Sequence, residues 1–293
     1  MEIAHNVGHG QWDWMNDPEI HSTTWEWDMA GLSSQWRYSH NYRHHVNTNV
    51  VGVDDDLGYG VLRVTRDQEW NPSYLFAPLR SVLLALGFEW GHRVARPVLR
   101  TRTRRQRRAQ VRAQSRTAAQ DRPSDGQGLR PVPGAEPQAV APDPRRERHG
   151  QRVAQHLAYV VICCGHFADG AEKFEPETLE NETKAEWYLR QMLGSANFDA
   201  GPVMAFMSGN LCYQIEHHLF PDLPSNRYAE IATRVRALCD TYDLPYTTGH
   251  LIKQYLMTVR TVCTLALPDR FTENGFRPPR LRVEQLQEVR AVP

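Results

Sequence analysis

The run HNYRHH at residues 40–45 sets three imidazoles in six positions, and its reading decides the fold. His40 and His44 lie four residues apart, so on an α-helix they share a face and can converge on one point. His45 makes a vicinal pair with His44, and such a doublet can serve two ions, one ring each. Outward from this run, HNVGHGQWDWM at residues 5–15 supplies His5 and His9 at the same spacing. QIEHH at residues 214–218 supplies a second doublet, His217 and His218, three and four residues after Gln214. Imidazole is the commonest protein ligand for iron and zinc, and seven in three tight groups exceed the needs of one tetrahedral zinc. The count points to two metals. A single HxxxH is usually a solvated helix with two incidental histidines; three clusters, two ending in a doublet, do not fit that reading.

These clusters resemble the histidine boxes of the membrane fatty-acyl desaturases. The likeness extends to GQWDWMNDPEIHSTTWEWD (10–28), HHVNTNVVGVDDDLGYG (44–60), GHFADGAEKF (165–174) and GNLCYQIEHHLFPDLPSNRYAEI (209–231), which look like the bacterial acyl-CoA, linoleoyl-CoA-type branch. Residues 1–91 and about 158–270 carry it. The resemblance implies an all-α, membrane-associated helical fold with a cytosolic helical cap. It implies a non-haem di-iron centre with His5, His9, His40, His44, His45, His217 and His218 as ligands and His166 as an eighth. Gln214 stands where many relatives have histidine, so its amide either ligates weakly or hydrogen-bonds a ligand. Asp13 and Asn210, with Asp17, Asp54, Asp55, Asp56 and Glu216, are candidates to orient the rings. Trp12, Trp14, Trp25, Trp27 and Trp36 are candidates to wall an acyl tunnel.

The implied reaction uses O2 at two iron ions to introduce a cis double bond into a long-chain acyl-CoA or acyl-lipid. The chain lacks a glycine-rich nucleotide fingerprint and an HPGG-type haem motif, so electrons are expected from a separate NADPH-dependent reductase. The implied location is integral to the cell membrane, catalytic face cytoplasmic, with no nucleic-acid partner. Two alternatives remain, a related di-iron lipid hydroxylase or monooxygenase and a degenerate, inactive desaturase fragment. The position of the new bond is open, and spacing alone does not separate iron from zinc or manganese.

Composition at first resists a membrane reading, with 41% hydrophobic and 23% charged residues. No stretch reaches eighteen uninterrupted apolar residues; residues 74–90, 156–167 and 192–213 come nearest. Residues 92–155 explain part of the conflict, holding sixteen arginines, no lysine, no aromatic residue and five acids. Such a segment cannot bury enough apolar surface to offset its ordering entropy, and residues 92–157 are expected to be disordered. An Arg-rich linker, a low-complexity loop and out-of-frame translation of a GC-rich gene all give this mixture. The third is preferred, because the resemblance stops near Gly91 and resumes near Tyr159 with its order intact. Met1 stands four residues before the first box, where the family carries membrane helices, so an amino-terminally truncated, incomplete fold is expected.

The expected units are residues 1–91 with the first two boxes, the segment 92–157, residues 158–270 with the third box and cap, and a loose tail at 271–293. Local patterns predict a short hydrophobic hairpin or half-hairpin at 192–213. They also predict a helix from Tyr228 towards Tyr242 capped by Ser225 or Asn226, and an amphipathic helix over 251–267. The five cysteines form no CxxC pair, and adjacent Cys163 and Cys164 read as packed small hydrophobes.

Overall fold

A computed structural model of the chain describes residues 2–26, 33–88 and 144–271. The order of elements is α1 (Glu2–Gly8), α2 (Ser33–Arg37) running into a π-helical turn (Tyr38–His44), α3 (Ala77–Leu86), α4 (Pro144–Phe167) and α5 (Lys184–Leu193). There follow β1 (Asn197–Asp199), α6 (Pro202–Met207), α7 (Gln214–Leu219), α8 (Tyr228–Thr241), β2 (Thr248–His250) and α9 (Leu251–Leu265).

Packing follows the apolar spacing. On α9, Gln254, Thr258, Val262 and Leu265 are buried, the three-and-four rhythm of a helix with one inward stripe. That stripe meets α3 and α4 in a core that includes Leu84, Ala85, Phe88, Tyr159, Cys163, Phe167 and Val262. A second core joins α5, α7 and α8 through Leu189, Met192, Leu193, Ile215, Val235 and Cys239. Helix α5 starts at a capping box in which Thr183 and Glu186 satisfy each other's backbone N–H groups.

The expectation of an all-α chain holds except for two short pieces of extended backbone. β1 and β2 pair in parallel, Asn197 opposite Thr248, and Val50 bridges Phe174. The segment 192–213 is not a hairpin: it ends α5, forms β1 and then the short α6, whose Val203 and Phe206 are exposed. The helix after Ser225 begins at Tyr228 as expected but without a side-chain cap, because the Ser225 hydroxyl accepts instead from Asn6 and Asn210. Of the segment expected to be disordered, residues 92–143 lie outside the described residues, while residues 144–157 are helical in α4. There Gln155 is buried and His156 meets Tyr255 of α9 edge-on, contacts that the arginine count concealed. Trp27 and the tail beyond Phe271 also lie outside the described residues.

Among the described residues no helix is long and apolar enough to cross a membrane. Large apolar side chains nevertheless face outward together: Leu79, Val82, Leu83 and Leu86 on α3, Ile252 and Leu256 on α9, and Phe206 on α6.

Candidate metal centre

The three boxes meet. α1 carries His5, and His9 in the turn that follows it sets its Nε2 3.2 Å from His5 Nε2, which lies 3.1 Å from His40 Nε2. His217 on α7 completes this first group, in which the ligand atoms all lie within 4.8 Å of one another. A second group joins His44, His166 and His218, with His218 Nε2 3.1 Å from His166 Nε2. His45 belongs to both neighbourhoods, grouping with His40 and His44 on one side and with His217 and His218 on the other. Its ring stacks on that of His218 at 4.3 Å.

The π-helical turn explains how box two serves both groups. In an α-helix the fifth residue on stands about 140° round the axis, which would aim His45 away from His40. Here the His45 amide donates to the His40 carbonyl, and a turn closed at i+5 brings His45 back over His40. His40, His44 and His45 then present to one side.

The buried nitrogen atoms fit metal ions. None of the eight histidines is more than 9% exposed as a residue, and imidazole nitrogens are donors suited to iron or zinc. An ion about 2.1 Å from each nitrogen holds adjacent ligand nitrogens roughly 3.0 Å apart at right angles and roughly 3.4 Å apart at a tetrahedral angle. The observed spacings of 3.1 and 3.2 Å fall between these. Both ring nitrogens of His45, Nε2 of His217 and Oε1 of Gln214 have no hydrogen-bond partner although buried, a costly state that a bound cation relieves.

On His40, His44, His217 and His218 the Nδ1 atom faces a partner that orients the ring. His40 Nδ1 meets Asp56 at 3.1 Å and His44 Nδ1 meets Asp54 at 2.9 Å. His217 Nδ1 meets the Tyr228 hydroxyl at 3.2 Å, and His218 Nδ1 lies between Gln191 Oε1 (3.2 Å) and Thr48 Oγ1 (3.1 Å). An Nδ1–H donated outward leaves Nε2 bare towards the centre.

The other expected partners are placed elsewhere. Asp13 takes the backbone amide and hydroxyl of Ser22 and so closes a loop, and Asn210 donates to Ser225. Asp17 caps Glu19, Asp55 pairs with Arg43, and Glu216 accepts from Asn197 and Tyr246. Gln214 is brought to the centre, its Nε2 3.1 Å from His166 Nε2. Trp36 stacks on His40 at 4.4 Å, Trp12 and Trp25 are half-buried, and Trp14 is exposed. Thr48, Gln191 and Tyr228 escaped the sequence reading, because their link to the histidines spans up to 170 residues and leaves no local spacing to detect.

Burial sets the electrostatics. Loss of hydration pushes His5 down to about 4 and holds His9, His45, His217 and His218 well below the ordinary imidazole value, with neighbouring rings adding to the effect. These rings are neutral at pH 7, the form that binds metal. His44 departs from the pattern: burial lowers it, but the Asp54 charge and hydrogen bond, with Asp56 behind, prevail and raise it.

Eight buried imidazoles in convergent groups give this helical chain a site of the kind that could hold metal ions. Comparison with known proteins narrows the class. The fatty acid desaturase family matches residues 1–122 and 152–250, so the match runs past Gly91, where the visible resemblance faded. The NADPH-dependent stearoyl-CoA 9-desaturase of Mycobacterium tuberculosis is 50% identical over 296 residues, covering 98% of this chain and 69% of that one. The sn-1 linoleoyl-lipid 6-desaturase of Synechocystis is 26% identical over 261 residues, covering 84% and 70%. The Delta(8)-fatty-acid desaturase 1 of Arabidopsis thaliana is 28% identical over 118 residues, covering 40% and 25%. No solved structure matches. The chain belongs to the fatty acid desaturase family, a family of oxidoreductases of lipid metabolism.

Proposed function

We propose that this desaturase acts on a long saturated acyl-CoA, with stearoyl-CoA as the substrate and the bond between carbons 9 and 10 as the target. The observation that carries the reading is the convergence of His5, His9, His40, His44, His45, His166, His217 and His218 into two linked groups. The half-identical mycobacterial relative supplies the substrate and position. Two non-haem iron ions, when bound, supply the O2 activation and oxidising power that side chains lack.

The chain's own residues do the rest. His5, His9, His40 and His217 hold one ion; His44, His166 and His218 hold the other, with His45 between them. Asp54, Asp56 and Tyr228 fix the rings through Nδ1, so that the centre is ordered before substrate arrives. Position decides which methylene reacts, and Trp36 beside His40 helps to wall the approach. The acyl chain loses two hydrogen atoms and O2 leaves as two waters; the further two electrons come from NADPH through a separate reductase, and the two protons that balance them come one from NADPH and one from the medium. Residues 1–91 and 158–270 act as one catalytic unit, since each contributes rings to both groups. The outward apolar faces of α3, α6 and α9 support membrane association; that the centre faces the cytoplasm is what the family resemblance implies.

The test is expression of the chain with a reductase in a host fed stearate, followed by gas chromatography of the cellular fatty acids. Oleate together with about two irons per chain is the expected result. A hydroxylated product points to the hydroxylase reading, and absence of both iron and product to the inactive one.

A further inference from the structure

Helix α5 reaches the centre through Gln191 and carries no histidine of its own. Gln191 is fully buried. Its Oε1 lies 3.2 Å from His218 Nδ1 and accepts from the Thr48 hydroxyl at 2.7 Å. Thr48 also lies 3.1 Å from His218 Nδ1 and 3.1 Å from the His44 carbonyl, so it ties box two to box three. The preceding residue anchors the same helix: Arg190 donates to the Val46 carbonyl at 3.0 Å and to Glu182 at 2.6 and 2.8 Å. Neighbours on one helix thus grip the chain just after box two and a ring of box three.

We propose that Gln191, buttressed by Thr48, is a positioning residue for His218: its Oε1 accepts the hydrogen bond donated by Nδ1–H, which keeps the proton on Nδ1 and leaves Nε2 bare for the ion shared with His44 and His166. Asp54 and Asp56 do this for box two with carboxylates, and Tyr228 does it for His217 with a hydroxyl. Gln191 does it with a neutral amide, which makes His218 the less strongly polarised ligand. The inference rests on the ligand set proposed above.

One feature of the geometry makes it testable by a gain as well as a loss. Gln191 Nε2 has no hydrogen-bond partner, so exchanging it for oxygen in Gln191→Glu removes no hydrogen bond and turns the acceptor into a carboxylate. Gln191→Met removes the acceptor at similar volume. The full chain and both variants are loaded with iron, and iron loss to a chelator is followed alongside thermal melting of the loaded protein. Gln191→Met is expected to release the more labile iron roughly 10- to 100-fold faster, and Gln191→Glu to release it more slowly than the parent. A merely structural glutamine gives the opposite for Glu, since a buried carboxylate in a packed site loosens it. Equal or faster release from Gln191→Glu therefore overturns the proposal even where Gln191→Met does not fold. His218→Ala separates the two levels: if it keeps both irons, the ligand set itself is wrong; if it loses one while both Gln191 variants match the parent, only the positioning role is wrong.

Discussion

Replacing Asp54 by Asn tests whether the acid run after box two builds the centre. The Asp54 carboxylate receives the Asp56 amide on Oδ1 at 2.9 Å, the Asn49 amide on Oδ2 at 2.8 Å, and His44 Nδ1 at 2.9 Å. An asparagine side chain has one oxygen. Whichever way its amide turns, an NH2 faces one of those two backbone N–H groups. The charge-assisted bond to His44 is worth about 1.5–3 kcal/mol, and the opposed buried N–H costs about 1–3 kcal/mol more. The expected loss of folding stability is about 3–5 kcal/mol, with a roughly 10- to 100-fold weaker hold on the ion at His44. Asp55→Asn is the internal control, because Asp55 pairs with Arg43 at 3.2 Å with both side chains 30% exposed. Such a pair contributes about 0–1 kcal/mol. Thermal melting and iron per chain after dialysis against chelator are measured on both variants. If Asp54→Asn behaves like Asp55→Asn in both assays, the orienting role of Asp54 is refuted.

Glu182→Ala leaves the Arg190 guanidinium, 2% exposed, without its carboxylate; denaturant unfolding should show a loss of about 3–5 kcal/mol. Gly165→Ala places a Cβ 2.7 Å from Gln214 Cγ, so the Gln214 side chain must leave His166; about 1–3 kcal/mol of stability and part of the iron should be lost, by melting and metal analysis. Stripped of metal, the chain should weaken as pH falls. His5 titrates at about 4 when folded but near 6.5 when unfolded, so only the unfolded state takes up its proton between those values. Its contribution is intact above 6.5 and lost progressively down to about 4. At about 1.4 kcal/mol per unit this amounts to about 3 kcal/mol, and denaturant midpoints at pH 7, 5 and 4 that do not move would contradict it.

What the sequence disclosed was what spacing encodes. The pairs His5/His9 and His40/His44, and the doublets, lie close enough along the chain for helical geometry to reveal them. The π-turn that swings His45 into place did not show, because an i+5 closure is imposed by the rings it must aim and not by local preference. Three adjacent acids, Asp54, Asp55 and Asp56, looked equivalent; only the fold turns the outer two towards His44 and His40 and the middle one to Arg43. Asp13 and Asn210 lie near the boxes in sequence but are spent on the Ser22 and Ser225 turns. Gln191 and Tyr228, which do touch box rings, sit on helices whose own pattern speaks only of packing.

The distribution of buried side chains ties the centre to the fold. From residue 2 to residue 45, the buried apolar side chains among the described residues are Ala4 and Val7, whereas His5, Asn6, His9, Gln11, Ser33, Ser39, His40, His44 and His45 are buried and polar. Two small hydrophobes cannot offset the ordering of that stretch. Gln11 reaches Tyr228 and Pro221, and Asn6 reaches Ser225, but each such bond contributes only about 1 kcal/mol net. On the ligand set proposed above, ions gripped by His5, His9 and His40 add to this stabilisation, and their binding free energy is then folding free energy for this part of the chain. The core around Leu84, Tyr159, Phe167 and Val262 has no such dependence. Removal of metal should therefore open the chain unevenly. Amides of α1 and of the turn at 40–45, still packed at pH 7, should lose more of their hydrogen-exchange protection than those of α4 and α9. Equal loss across both regions would mean that the apolar core, and not the imidazole cluster, holds the amino-terminal part in place.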